Sequence, residues 1–477
     1  MFMATEPVTR PVGSPGEGDA GERIRLEESA SAGDPGAMHM LSLLLLDEDP
    51  ARSRNLLEES ARSGHPDASR TLEESSRCDP ASFSALAVLK LKALRGDCAA
   101  CRELFMMYEE GGHGVRKDHA EAARWYEVPA SQGDTEAQRT VGAMYLMGKG
   151  NVRKDSDRAV RWLTAAAEAG DAEAMRRLGE MHEQGLCWTD PDPKEALRWY
   201  SAAAEAGDAE AQYVMAAIKL SKRGPFCDTK GALALLRRSA EQGHGEAQRQ
   251  LGMMLAYGQG GKEGPEEAAM WLERACEGGN QQAMVDYANM CFEGQVVPRD
   301  LAKAARWFRA AAEKLDGAAA YALACMYGNG YHFEKDDAQA ARLFREAAEL
   351  GEPNSQYALG CFCYDGRGTE KDAREAAFWL GQAADQGLPE AMAFLGMMLV
   401  TGRDVEPDPE RGLEMLRSCA DQGQPESQFY LGKLYYDGKH VARNIPLAKR
   451  YLQAAFRNGD PDAGALLETI RAEKARR

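Results

Sequence analysis

The sequence predicts an all-α protein, an α/α superhelical solenoid of stacked helix-turn-helix units, on three observations. A glycine recurs at Gly96, Gly133, Gly170, Gly207, Gly243, Gly279, Gly351, Gly387, Gly423 and Gly459, with Leu315 in the one missing place, in steps of 37, 37, 37 and then 36. A second register, Trp125, Trp162, Trp199, Leu235, Trp271, Trp307, Leu343, Trp379, Met415 and Tyr451, keeps the same period. Within one period, Ala137, Val141 and Tyr145 and then Ala159, Trp162 and Ala166 show the spacing of two amphipathic helices, not the alternation of strands. A fixed period of this size marks a stack of supersecondary units.

Taken in order, residues 1–20 are rich in Pro, Gly, Glu and Asp and read as a disordered tail. From 21 to 95 the repeat continues in a degraded, shorter form. Leu26-Glu27-Glu28-Ser29-Ala30, Leu57-Glu58-Glu59-Ser60-Ala61 and Leu72-Glu73-Glu74-Ser75-Ser76 echo one another, and tight turns such as Asp47-Glu48-Asp49-Pro50 replace the longer loop. These units read as an amino-terminal cap, because a terminal repeat must tolerate water on one side.

Ten regular units span 96–458. Their first helices start at Asp134, Asp171 and Asp208, whose carboxylates can accept orphan backbone N–H groups, or with Pro353, Pro389, Pro425 and Pro461 at the first helical position. Asp118, Asp155, Asp300, Asp336, Asp372 and Asn444 suit the start of the second helices in the same way. Gly148, Gly185, Gly258, Gly294, Gly366, Gly402 and Gly438 suit the left-handed residue that ends each first helix. Residues 459–477 read as a capping helix with Arg471, Lys474, Arg476 and Arg477 at its negative pole. A single unit cannot fold alone: ordering it costs about 50 kcal/mol, the equivalent of roughly 2,000 Å² of apolar burial, and only its neighbours can supply the rest.

The order Ala137, Val141-Gly142, Tyr145, Gly148-Lys149-Gly150, Lys154-Asp155, Ala159, Trp162, Ala165-Ala166 and Gly170 resembles the Sel1-like repeat, a longer relative of the tetratricopeptide repeat. Departures fall at the Cys187–Pro193 loop, at Lys222 and at Leu315, where local geometry is left open. The resemblance implies a non-catalytic scaffold or adaptor that holds a peptide or protein in the concave groove. One secreted, cysteine-rich branch, described as β-lactamase-like, staples its units with a regularly spaced cysteine pair. Here Cys276 is followed eight residues on by Met284 and Cys419 by Ser427, so no such pairing repeats. The 11 scattered cysteines then suit reduced thiols in a cytoplasmic protein.

Charge excludes other classes. With a net charge of −17 and no basic stripe in any unit, the sequence argues against a nucleic-acid partner. The start lacks the layout of a secretory signal, and the apolar run Leu43–Leu46 is too short to span a bilayer, so no membrane insertion is expected.

No catalytic, cofactor-binding or metal residue is assigned. His182-Glu183 begins like a zinc-protease helix without the second histidine, and Gly258-Gln259-Gly260-Gly261-Lys262 follows a helix and lacks the Ser or Thr of a phosphate loop. Cys98 and Cys101 form one Cys-x-x-Cys without further ligands, and the histidines do not cluster in sequence, although folding could join His113 and His119. The tryptophan register reads as core, whereas Trp188 sits off register in a lengthened loop and is a candidate anchor for a partner.

The groove-facing positions carry the informative contrast. In early units they read Arg139, Ala143, Leu146 and Arg176, Glu180, Glu183; later they become Val285, Asn289, Phe292, then Tyr321, Cys325, then Tyr357, Cys361, Tyr364, and finally Phe429, Lys433, Tyr436. Phe292, Tyr321, Tyr357, Tyr364, Phe429 and Tyr436 thus mark a candidate peptide-binding groove. Two readings stay open, a wet groove or side chains buried between turns of the superhelix. The alternatives in function are a β-lactamase-like hydrolase, for which no nucleophile stands beside a base, and a receptor for a glycan or small ligand stacked on the tyrosines.

Overall fold

The computed structural model describes residues 19–112, 115–186, 190–221, 228–259, 264–402 and 405–475. Among them are 26 α-helices and no strand beyond one isolated bridge between Gly112 and Val115. The tail expected at the amino terminus lies outside the described residues up to residue 18, and the first helix begins at Asp19. The chain divides into two compact units, Met1–Cys227 and Asp228–Arg477.

In the first unit, Asp19–Ser31 packs on Pro35–Leu44, which pairs with Pro50–Arg62. After Pro66–Ser75, the helix Pro80–Leu94 packs on both Cys98–Glu110 and Pro35–Leu44. Regular hairpins follow: Cys98–Glu110 with His119–Ser131, Thr135–Met147 with Ser156–Glu168, and Ala172–Gln184 with Pro193–Glu205, against which Ala209–Ser221 packs.

In the second unit, Thr229–Glu241 packs on Gly245–Ala256, which pairs with Pro265–Glu277. Five hairpins stack in sequence order: Gln281–Glu293 with Leu301–Ala312, Gly317–Asn329 with Asp337–Glu349, Pro353–Asp365 with Ala373–Asp385, Pro389–Thr401 with Pro409–Asp421, and Pro425–Asp437 with Ile445–Arg457. Pro461–Ala475 packs on Ile445–Arg457.

In several hairpins the two helices cross closely at a glycine. A Cβ placed on Gly142, Gly252, Gly360 or Gly432 would lie 2.8, 2.7, 2.8 and 2.6 Å from the Cγ of Leu163, Leu272, Leu380 and Leu452, so only a residue without a side chain lets the second helix approach. The loop then closes on the backbone. The N–H groups of Asp118, Asp155, Asp336 and Asn444 donate to the carbonyls of Tyr108, Tyr145, Tyr327 and Tyr435 at 2.8, 3.1, 3.0 and 2.8 Å. The aspartate caps and first-position prolines occur as the sequence predicts, for instance Asp134 accepting from Ala137 N–H at 3.1 Å and Pro353 opening its helix.

Hairpins join through a left-handed residue. At Gly170 φ is 95°, and the next N–H, of Asp171, donates five residues back to the Ala166 carbonyl at 3.0 Å. Leu315 keeps that geometry without being glycine: its φ is 65°, its side chain is 73% exposed, and Asp316 N–H reaches the Ala311 carbonyl at 3.2 Å.

The tryptophan register is core, as expected. Trp125, Trp162, Trp271 and Trp307 are buried and Trp199 and Trp379 half-buried, several with an arginine over the ring, such as Arg306 at 4.5 Å from Trp307. Cys101, Cys276, Cys291, Cys363 and Cys419 are buried as the packing reading requires.

The amino-terminal helices hold a buried polar cluster that the periodicity did not announce. Lys90 and Glu74, each 3% exposed, form an ion pair, and Tyr108 Oη donates to the same carboxylate at 2.6 Å. Arg124 pairs with Asp67 through both guanidinium nitrogens, and Arg70 pairs with Glu121. Burial pushes the His39 imidazole down to about 4, with His65, Lys90 and Arg124 adding to it and Asp67 opposing it. Burial alone would raise the Asp67 carboxyl, but Arg124 more than offsets this and holds it below the usual carboxylate range.

Three outcomes follow for stability. Gly360→Ala forces Leu380 away and costs about 1–3 kcal/mol, read as faster amide exchange in Pro353–Asp365 and Ala373–Asp385. Leu315→Gly relieves a left-handed side chain and stabilises the adjoining hairpins by up to about 1 kcal/mol. Because a folded-state pKa below the unfolded one favours the neutral ring, the His39 contribution is complete above the ordinary value of 6.5 and is lost as pH falls toward about 4. The thermal midpoint therefore drops across that interval, and His39→Gln makes the drop shallower.

Candidate functional site

The first helices carry the stripe singled out by sequence, and in the second unit they touch across repeats: Gly245–Ala256 meets Gln281–Glu293, Gly317–Asn329 meets Pro353–Asp365, and Pro389–Thr401 meets Pro425–Asp437. Residues on that face of successive first helices are therefore neighbours in space.

All six aromatic side chains are half-buried, which lies between the two readings left open by the sequence. Four of them, Phe292, Tyr321, Tyr357 and Tyr364, pack on the edge of one continuous core cluster, with Val285 and Cys325 beside them. The other two, Phe429 and Tyr436, pack on a separate cluster with Leu452, Leu467 and Ile470 at the carboxy-terminal end. Several bridge repeats. Phe292 meets Tyr331 edge-on at 5.6 Å, Tyr364 meets Phe394 at 5.2 Å, and Tyr436 Oη donates to Glu473 of the helix Pro461–Ala475 at 2.6 Å. Cations lie over three rings: Arg299 over Phe292, Lys371 over Tyr364 and Arg443 over Tyr436.

The stripe is apolar and chemically quiet. Burial pushes the Tyr321 hydroxyl up to about 12, with Cys325 adding to it, and pushes the Cys361 thiol up to about 11. Burial also raises Tyr357. These groups are protonated at neutral pH and offer no thiolate nucleophile.

The earlier repeats fill the same register with ion pairs. Arg102 pairs with Asp134; Arg139 reaches Asp171 at 3.5 Å and Glu173; Arg176 reaches Asp208 at 3.3 Å and Glu180; Arg249 reaches Asp286 at 2.7 Å. Asp134, Asp171 and Asp208 are the cap residues of the next first helix, so each arginine fastens its repeat to the following one. Ala143 is buried beneath this ladder, Leu146 is half-buried and Glu183 accepts from Tyr200 Oη at 2.7 Å.

The remaining sequence candidates separate. Trp188, most of the phosphate-loop look-alike and His113 lie outside the described residues. His119 bonds to Glu109 at 2.7 Å. Cys98 donates to Gln132 Oε1 at 3.0 Å, while Cys101 points to the Ala93 carbonyl and is pushed up to about 12 by burial, so the two thiols have different partners.

Sequence reasoning missed two features. Gln138, Gln212, Gln248, Gln356 and Gln428 each donate from Nε2 to the carbonyl eight residues earlier, at 2.7–3.2 Å, tying a first helix to the helix before it. Their shared place one residue after the first buried helix position was the available signal. The other is the grouping of His39, His65 and Asp67, with one donor atom of each within 4.8 Å of the others. No helix among the described residues is long and apolar enough to cross a membrane.

Comparison with known proteins bears on the whole chain. No curated protein sequence matches it. Among solved structures, c5321, a protective antigen of uropathogenic Escherichia coli with an SLR fold, is 27% identical, with a TM-score of 0.62, 94% of this chain and 97% of that one covered. A Sel1 repeat protein from Oxalobacter formigenes is also 27% identical, with a TM-score of 0.53, 69% of this chain and 93% of that one covered. The Sel1 repeat family model matches eleven times, at 36–65, 98–134, 135–171, 172–208, 209–244, 245–280, 281–314, 317–352, 353–388, 389–424 and 425–460. One match falls in the segment read as degraded, and with hairpins, caps and left-handed turns recurring in the same register, the chain belongs to the Sel1 repeat family.

Proposed function

We propose that the protein is a non-catalytic interaction scaffold that holds a peptide or protein partner along the first-helix face of its second unit. The observation that carries this reading is the change of chemistry within one register. Arg139, Arg176 and Arg249 spend that position on ion pairs, whereas Tyr321, Tyr357 and Phe429 leave it aromatic and half in water. Half-buried aromatic rings fixed by their neighbours lose little freedom on binding, which makes them efficient anchors for a partner. Phe292, Tyr321, Tyr357 and Tyr364 supply the main patch, and Phe429 and Tyr436 extend the same face. The solenoid fold shared with c5321 supports a scaffold role, and the protonated thiols of the stripe support a role without covalent chemistry.

Tyr357→Arg with Tyr364→Arg tests the assignment, with Phe456→Arg, a 58% exposed residue on a second helix, as control. Affinity capture from source cells, followed by mass spectrometry, is expected to lose a partner at least tenfold for the pair and not for the control, at equal helicity by circular dichroism. A partner recovered equally from all three proteins refutes the placement. Hydrolysis of a chromogenic β-lactam by the purified chain would refute the non-catalytic reading.

A further inference from the structure

His39 lies on the helix Pro35–Leu44, His65 caps Pro66–Ser75, and Asp67 stands in the first turn of that same helix. The grouping belongs to the first unit and shares no residue with the aromatic stripe. Its hydrogen bonds fix the state of His39. Thr71 Oγ1 has a single proton, which it donates to the Asp67 carbonyl at 2.7 Å, so towards Lys90 Nζ at 3.4 Å and His39 Nε2 at 3.2 Å it can only accept. His39 is therefore the Nε2–H tautomer, and its Nδ1 presents a lone pair. That atom is buried on a residue 1% exposed and has no hydrogen-bond partner among the described residues. An unmet buried acceptor is costly, and here it belongs to a residue grouped with a second imidazole and a carboxylate.

We propose that His39, His65 and Asp67 form a binding site for one divalent transition-metal ion of the zinc class. Two imidazoles and one carboxylate are the borderline donor set such ions prefer over calcium or magnesium, and three protein donors leave a fourth tetrahedral position open. The supporting contacts are those a ligand set needs. Thr71 holds the far nitrogen of His39 and so orients its ring, while Arg124 binds both oxygens of Asp67 and leaves each a further lone pair. His65 is half-buried at a helix start, where its Nδ1 accepts a long bond from Ala68 N–H at 3.4 Å; Nε2 is the nitrogen it has to offer. Ligation through Nε2 moves the ring proton to Nδ1 and gives up that bond. Donor atoms within 4.8 Å need close by no more than about 1.5 Å to reach tetrahedral spacing, a shift that rotation of the His65 side chain can supply. Arg124 competes with the ion for Asp67.

The test uses the untagged full chain, stripped with chelator and kept reduced, titrated with Co²⁺ under visible absorption and then with Zn²⁺ in competition. The expected result is one ion per chain with the intense visible band of a tetrahedral site. His65→Asn keeps a capping side chain and removes the imidazole, and it is expected to weaken binding at least hundredfold with helicity unchanged. Arg124→Gln, which releases Asp67, is expected to tighten binding several-fold. Absence of the band at stoichiometric protein overturns the proposal, and so does binding that His65→Asn leaves intact, which would place the ion on cysteine thiols.

Discussion

Most of the regular hairpins depend on the approach of two helices at a residue with no side chain, and Gln281–Glu293 and Gly317–Asn329 place Ala288 and Ala324 there instead. Gly142, Gly252, Gly360 and Gly432 sit where the facing leucine already occupies the space of a Cβ, and the depth of that contact sets how the two helices cross. Once the crossing is fixed, the loop is fixed too, because the cap residue of the second helix must bring its own N–H to a carbonyl near the end of the first. Two backbone conditions and one packing condition thus specify a unit, and the apolar face that remains can be covered only by the next copy.

What differs between repeats is how that covering is fastened. In the first unit the arginines of the first helices reach the capping aspartates ahead of them, contacts that are partly in water and individually modest in energy. In the second unit, beyond the Arg249–Asp286 pair, the same seam carries rings and aliphatic groups on a continuous core, and its strength there comes from burial. The glutamine bonds to the preceding helix appear in both units and are independent of this choice.

Much of the architecture was legible as arithmetic. The recurring glycines and tryptophans gave the period, and Asp134 or Pro353 gave the helix starts, because each of these residues answers a local backbone requirement that does not depend on distant packing. At Leu315 the sequence left the turn open, and the surrounding hydrogen bonds hold the chain left-handed there in spite of the side chain. The depth of the aromatic stripe was not legible. Helical spacing says which face Tyr357 is on, but how far a face is covered depends on the neighbouring repeat, which no local pattern encodes. His39 and His65 were missed for a related reason: they stand 26 residues apart, in repeats too short to share the main register, and only the fold brings their rings to 5.2 Å.

The arginine-to-cap ladder has a consequence for how such a chain can change length. Arg102, Arg139 and Arg176 each meet an aspartate at the same point of the repeat that follows, so removing a whole repeat from this stretch would present Arg102 with Asp171 in place of Asp134, an identical handshake. Excising any other number of residues would strand a charge on each side of the cut. The seam is thus indifferent to how many modules it joins and strict about where they begin, which lets insertion and loss of whole modules proceed without redesigning the joint.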